Sequence, residues 1–152
     1  MKKACPDRRG FTLIELLIVI AILGGLATIA MLSFRGSQAS SRDTRRQSDV
    51  RQYQAALEVY ANRSNSLYPI TPSAVNVITL CGASQLNIPN CPNDPTTGQN
   101  YRYQSSASGL GYVLWARMER PNSSGQIEYF ILCSNGQAGK STTQPSSGTC
   151  PL

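Results

Sequence analysis

An almost unbroken apolar run from Phe11 to Phe34 limits what this chain can fold into more than any other feature. The run has 24 residues, and about 20 apolar residues are enough for a helix to cross a membrane. Its only charged residue is Glu15, although a carboxylate at the centre of a bilayer costs roughly 2.5–3.5 kcal/mol. We therefore expect an apolar helix in which Glu15 has a specific partner.

Two ordinary explanations of this N-terminus fit less well. Lys2, Lys3 and two arginines could begin a secretory signal peptide, but the apolar run is too long and no clear A-x-A cleavage site follows it. A plain uncleaved anchor would need neither Gly10 nor Glu15. The polar leader, the glycine and the carboxylate therefore point to a more specific use of the segment.

The segment Gly10-Phe11-Thr12-Leu13-Ile14-Glu15-Leu16-Leu17 resembles the leader of type IV prepilins, a family that includes pseudopilins and competence pilins. The resemblance implies that a prepilin peptidase cuts between Gly10 and Phe11 and that the new amino group of Phe11 is methylated. It also implies that Glu15 meets the positive amino terminus of a neighbouring subunit during filament assembly. The precursor would cross the cytoplasmic (inner) membrane once, with its N-terminus inside, and later join an extracellular or periplasmic filament.

This resemblance predicts a structural subunit of a type IV pilus-like filament. The implied partners are the prepilin peptidase, other copies of the chain, minor pilins, an inner-membrane assembly platform and the membrane itself. A type II secretion pseudopilin and a competence pilin for DNA uptake stay open as alternatives. We expect no enzymatic activity and no cofactor, because the chain has no His, no G-x-S-x-G motif and no phosphate loop.

A second resemblance lies in residues 92–103, which are similar to the D-P-x-G-x-x-Y-x-Y turn of major type II pseudopilins. This chain has one extra residue before Gly98 and lacks the usual Trp. Physically, Asp94 can cap a turn, Pro95 fixes φ and Gly98 permits a positive φ. We predict a turn without a ligand. We also expect no calcium site, because no acidic residue follows Glu128.

The positive charge of the chain does not indicate a nucleic-acid partner. The formal net charge is +6, and half of it comes from the leader, which would leave on cleavage. An arginine group on the predicted helix could attract phosphates, but we favour a solvated or inter-subunit helix face because Asp43 and Asp49 are interleaved with it. The group consists of Arg42, Arg45, Arg46 and Arg51.

Four of the five cysteines follow the apolar run. Four cysteines in a small extracytoplasmic domain predict two disulfides, and three pairings are possible. We favour the pairs Cys81–Cys91 and Cys133–Cys150, because each closes a short stretch rich in Gly, Pro, Asn and Ser. A zinc site is the alternative, but the chain has no C-x-x-C and no His, so we expect no metal.

The pattern along the chain predicts an α+β fold. Residues 1–10 form the leader, 11–34 a membrane-spanning or filament-core helix half, 35–63 an amphipathic helix half and 64–152 a head with a disulfide-bounded C-terminal loop. We predict three antiparallel strands, at 100–105, 110–118 and 126–133, packed on the amphipathic half. A short helix is expected at 73–80. The polar tail 134–152 has only Cys150 to hold it in place.

Gly24 and Gly25 interrupt the apolar helix with residues that favour helix poorly. Two interpretations have equal weight. The helix could melt locally at this point on assembly, which the resemblance implies for related chains, or the small residues could allow close helix packing.

Overall fold

A computed structural model describes residues 11–82 and 85–152 of the chain, without the side chains of residues 30, 32, 33 and 35. The predicted leader, residues 1–10, therefore lies outside the described residues. The chain divides into two compact units, Met1–Ser37 and Gln38–Leu152.

The long helix predicted over residues 11–63 is confirmed as α1, Leu13–Arg63. No proline lies within it, so each interior residue keeps its backbone donor. The helix ends where Asn65 and Ser66 adopt positive φ angles of 51° and 62°. The amide of Ser66 then donates to the carbonyl of Ala61 at 2.9 Å, which satisfies one of the free carbonyls at the helix C-terminus.

Within the described residues the sheet has five strands, not the three that the sequence predicted. They lie in the order β1-β2-β3-β4-β5, and each pairs antiparallel with the next. The strands are β1 Val75–Asn76, β2 Arg102–Ser105, β3 Tyr112–Arg117, β4 Tyr129–Cys133 and β5 Ala138–Ser141. The three predicted strands correspond to β2, β3 and β4, and each is shorter than expected because the chain leaves the ladder at its ends.

Two further predictions, for residues 73–80 and for the C-terminal tail, also differ from the structure. The short helix predicted at 73–80 is confirmed only in its second half, as a 3₁₀ helix at Val77–Leu80. Its first half is wrong, because β1 occupies Val75–Asn76. The Asn76 side chain caps the 3₁₀ helix and accepts from the Ile78 amide at 3.2 Å. The tail was expected to be held by Cys150 alone, but β5 pairs with β4 along four residues. Main-chain hydrogen bonds therefore hold part of the tail.

The core lies between the second half of α1 and one face of the sheet. Val50, Tyr53 and Leu57 recur at helical spacing and are fully buried, as the amphipathic pattern predicted. They pack in one cluster with alternate residues of the strands, including Tyr103 and Leu114. Since side chains alternate across a strand, a second set faces the other side of the sheet. That set is Val113, Trp115, Ile131 and Cys133.

Candidate assembly site

The N-terminus of α1 is closed by a reciprocal pair of hydrogen bonds between Thr12 and Glu15. Glu15 donates its amide to Thr12 Oγ1 at 3.3 Å, and Thr12 donates its amide to Glu15 Oε2 at 2.9 Å. The Thr12 hydroxyl adds a third bond to the same carboxylate oxygen at 2.8 Å. This T-x-x-E arrangement is a capping box, which satisfies amide groups that the helix cannot.

The capping box uses one carboxylate oxygen and leaves the other accessible. Glu15 and Thr12 are both exposed, and among the described residues only Oε2 of Glu15 accepts hydrogen bonds. The carboxylate is thus fixed one turn from Phe11, with Oε1 open to a cation from another molecule. Glu15 was expected from the sequence as a site residue and Thr12 was not, although the T-x-x-E spacing is visible in the sequence.

The apolar half of α1 exposes its side chains in this single chain. Among the side chains that the structure describes between Phe11 and Phe34, exposed fractions of the large apolar ones run from 46 % for Val19 to 88 % for Leu13. Such a surface far exceeds the scattered apolar residues of an ordinary soluble domain and marks an interaction surface. Within the described residues, no helix meets the length and hydropathy needed to cross a membrane.

The helix is continuous at Gly24 and Gly25. Both glycines lie inside α1, and a methyl group added at either would meet no atom within 4 Å. The Thr28 hydroxyl donates to the Gly24 carbonyl at 2.9 Å. In the single chain, neither glycine is required by local packing, so melting on assembly and close contact with another helix both stay as predictions.

The structure joins the cysteines in the favoured pairs. Cys81 is bonded to Cys91 with a Cα–Cα distance of 6.3 Å, and Cys133 to Cys150 with 5.6 Å. The second disulfide connects the end of β4 to the C-terminal tail. Residues 83–84 of the first loop lie outside the described residues.

Arg46, expected on a solvated or inter-subunit helix face, is instead buried between α1 and the head. The Arg46 side chain is 2 % exposed and touches Asp43 at 2.7 Å and Asp94 at 2.8 Å. It also donates to Thr96 Oγ1 at 2.7 Å and to Glu119 at 3.4 Å. A buried guanidinium with several acceptors ties α1 to the turn before β2 and to the end of β3.

The carboxylates around Arg46 have further partners. Asp43 accepts the backbone amides of Glu119 and Arg120 at 2.8 and 2.9 Å, while Arg42 donates to both oxygens of Glu119. Burial lowers the pKa of Arg46, but the hydrogen bonds to Asp94 and Asp43 outweigh it and leave that pKa above its ordinary value. The hydrogen bond from Arg42 lowers the pKa of Glu119.

The arginine group is therefore only partly a solvated helix face. Arg45 lies on the surface and pairs with Asp49 at 3.7 Å, but Arg46 turns to Asp43 and Asp94 instead of Asp49. The predicted turn is confirmed in detail. Asp94 Oδ1 accepts the Thr96 amide at 2.8 Å and Gly98 has a φ of 84°. The structure adds the role of Asp94 as an ion-pair partner.

Comparisons with known proteins agree on the family. A family model described as the prokaryotic N-terminal methylation motif matches residues 5–31, a range that includes Gly10, Phe11 and Glu15. The type II secretion system core protein G of Klebsiella pneumoniae is 30 % identical over 129 residues, which cover 85 % of this chain and 86 % of the relative. The chain belongs to the pilin and pseudopilin family.

Two further relatives show how far the likeness to this family extends. Core protein G of Klebsiella michiganensis is 29 % identical over 150 residues, or 96 % of the chain and 95 % of the relative. The type IV major pilin protein PilA of Myxococcus xanthus is 48 % identical, but over only 46 residues, or 30 % of the chain and 21 % of the relative. No solved structure matches the chain. This member of the family is a pilin-like filament subunit.

Proposed function

We propose that the chain is the filament subunit of a type II secretion-type pseudopilus. The observation that supports this most is the length of the match to core protein G, which includes the head as well as the helix. The turn of Asp94 to Gly98 before β2 favours the same choice, since it resembles that of major pseudopilins. By their names, the relatives are a secretion-system core protein and a pilin, and neither name denotes an enzyme.

The proposed route begins at the cytoplasmic membrane. Residues 1–10 are the leader, and the 24-residue apolar run counted along the sequence, Phe11–Phe34, holds the precursor in the bilayer. A prepilin peptidase cuts after Gly10 and the amino group of Phe11 is methylated. An inner-membrane assembly platform then adds the subunit to other copies and to minor subunits, and the filament grows into the periplasm or beyond the cell.

Assembly is driven by burial of the apolar half of α1, residues 11–34. Each Å² of apolar surface removed from water contributes about 25 cal/mol, and the exposed side chains of this half supply a long strip of such surface. The amphipathic half, residues 35–63, carries the head of residues 64–152. The Cys133–Cys150 disulfide fixes the C-terminal tail of that head.

Glu15 sets the register between subunits in this proposal. Its Oε1 faces outward from the capping box, and a positive amino terminus at Phe11 of the next subunit is a fitting partner. A carboxylate buried in the filament core without a partner costs several kcal/mol, so subunits displaced by one turn would be disfavoured.

A type IV pilus subunit is the second candidate. The 46-residue match to a type IV major pilin protein favours it, as does the disulfide that closes the C-terminal tail. The two candidates share processing and assembly and differ in where the filament accumulates.

Mass spectrometry on sheared surface filaments and on the membrane fraction tests the proposal. We expect a peptide that begins at methylated Phe11, enriched in the membrane fraction and dependent on the secretion machinery. An abundant sheared filament with the same N-terminus would replace the pseudopilus with a pilus. An intact leader in both fractions would contradict the processing that both candidates require.

A further inference from the structure

A concave pocket on the outer face of the sheet contains two arginines. The cavity has a volume of about 300 Å³ and lies on the side of the sheet away from α1. We call it the arginine pocket; the lining residues that matter here are Gln99, Arg102, Trp115, Arg117, Tyr129 and Gln144. Trp115 is buried and forms part of the floor, whereas Arg117 is exposed.

The strand register places the two arginines side by side. Arg102 on β2 lies opposite Trp115 on β3, and Arg117 is two residues further along β3, so both project from the same face. Such diagonal neighbours in a sheet are about 7 Å apart. Two like charges at this distance repel, and this repulsion is unfavourable unless an anion lies between them.

No carboxylate of this chain fills that position. Among the ion pairs of the described residues, none includes Arg102 or Arg117. Glu119, which lies near Arg117 along a neighbouring cavity, is already held by Arg42 and Arg46.

The other carboxylates of the head also have partners. Asp49 accepts from Tyr101 at 2.7 Å and Glu58 accepts from Tyr68 and Tyr112 at 2.9 and 3.0 Å. Glu128 lies 3.7 Å from Lys140. Within the described residues of the head, the side-chain carboxylates are therefore already engaged by donors of their own chain, which favours a different molecule as the source of an anion for the arginine pocket.

We propose that the arginine pocket binds an acidic segment of a different polypeptide, with carboxylates at alternate positions of an extended strand. Residues i and i+2 of such a strand lie on one face and about 6.6 Å apart, which matches the spacing of Arg102 and Arg117. A guanidinium binds a carboxylate through two parallel hydrogen bonds. Gln99 and Gln144 also line the pocket, and their side-chain amides supply donors and acceptors for a peptide backbone.

The proposal is tested on the full processed chain in an uncharged detergent, without assembly into filaments. Two fluorescent peptides of equal composition and charge are compared: acetyl-Thr-Glu-Thr-Glu-Thr-amide and acetyl-Thr-Thr-Glu-Glu-Thr-amide. In an extended peptide the second places its two carboxylates on opposite faces. We expect the alternating peptide to bind at least about tenfold more tightly, since loss of one charge-assisted contact has an effect of that size.

Variants Arg102→Gln and Arg117→Gln should each reduce binding of the alternating peptide by about tenfold. Arg63→Gln is the matched control, because it removes the same charge from an exposed arginine outside the pocket and should leave binding unchanged. A cooperative denaturant transition, followed by the fluorescence of the single, buried tryptophan, shows that each variant is folded.

Equal binding of the two peptides, or an equal loss in Arg63→Gln, would overturn the proposal and indicate general attraction of anions. A short oligonucleotide with the same number of charges is the third probe. If it bound as tightly as the alternating peptide and lost affinity in the same two variants, the pocket would be a nucleic-acid site instead. None of these results depends on whether the chain assembles into a pilus or a pseudopilus.

Discussion

The two halves of α1 have the same secondary structure but differ in what covers their apolar side chains. Between Phe11 and Phe34 the large apolar side chains with described positions are at least 46 % exposed, whereas Val50, Tyr53 and Leu57 are fully buried in a core shared with the chain's own sheet. The second half is therefore stabilised within the subunit, and the first half requires other molecules. One helix thus links a folded head to a segment whose stability depends on assembly.

The largest expected effect is on filament yield. Substitutions of Glu15 distinguish its role in the capping box from its proposed charge pairing between subunits. Glu15→Ala removes both the helix cap and the charge, so we expect normal cleavage but a loss of filaments of at least about tenfold, consistent with an unpaired buried charge in the partner. Filament yield is measured by shearing, pelleting and immunoblotting, and cleavage by mass spectrometry.

Glu15→Gln is the informative control, because a glutamine at this position keeps the capping box without the charge. Normal assembly of Glu15→Gln together with failure of Glu15→Ala would assign the effect to the helix cap and remove the charge pairing between subunits. Normal filaments from Glu15→Ala would remove both functions.

The next largest effect is on the folding stability of the head and of the helix half that packs on it. Arg46→Ala leaves the buried side chains of Asp43 and Asp94 without their cation, and the loss of one partner of a buried ion pair costs about 3–5 kcal/mol. Denaturant unfolding followed by Trp115 fluorescence measures the change in the free energy of unfolding.

Arg45→Ala is the control, because it breaks an exposed pair in the same turn of helix and should cost less than about 1 kcal/mol. Similar losses in the two variants would show that burial of Arg46 is not what stabilises the head.

A leucine in each half of α1 tests the comparison directly. Leu57→Ala should destabilise the head by about 2–5 kcal/mol because it leaves a cavity in the core. Leu17→Ala, at a position that is 61 % exposed, should leave head unfolding unchanged and reduce filament yield. The two variants are compared in the same unfolding and assembly assays. A destabilised head in Leu17→Ala would mean that the first half of α1 also supports the fold.

The smallest effect is a dependence of head stability on pH. The pKa of Glu119 is lowered below its ordinary value of 4.5 by the hydrogen bond from Arg42. The stabilisation is therefore fully present above pH 4.5 and is lost as the pH falls through the lower pKa of the folded state. Since Glu119 is partly exposed, the change is small. Glu119→Gln should flatten this part of the stability profile, and an unchanged profile would assign the acid sensitivity to other carboxylates.

The sequence predicted the parts of the fold that have a local pattern. An uninterrupted apolar and then amphipathic repeat specifies α1, and short runs rich in aromatic and aliphatic residues, bounded by turn-like breaks, predict β2 to β4. The strand β5 has the sequence Ala-Gly-Lys-Ser, which contains no aromatic or β-branched residue, and its position depends on pairing with β4. The strand β1 has only two residues, so it exists only because β2 lies beside it.

The candidate sites also differ in how far the sequence alone could predict them. The Thr12–Glu15 capping box is a contact three residues apart and could have been predicted from spacing alone. The ion pair of Arg46 with Asp94 could not, because spacing along the helix offers only Asp43 and Asp49, whereas Asp94 is 48 residues away in the chain. The arginine pocket likewise depends on the register between β2 and β3, which brings together residues 15 positions apart in sequence.

The strand β5 has a consequence for a protein that works at very high local concentration. It is the last strand of the sheet, and an open edge can pair with a neighbouring sheet and lead to aggregation. This edge is short, carries Lys140, and has Leu152 against Gly139. A polar, charged and partly covered edge disfavours sheet-to-sheet pairing, so heads crowded along a filament can lie close together without fusing into a fibril.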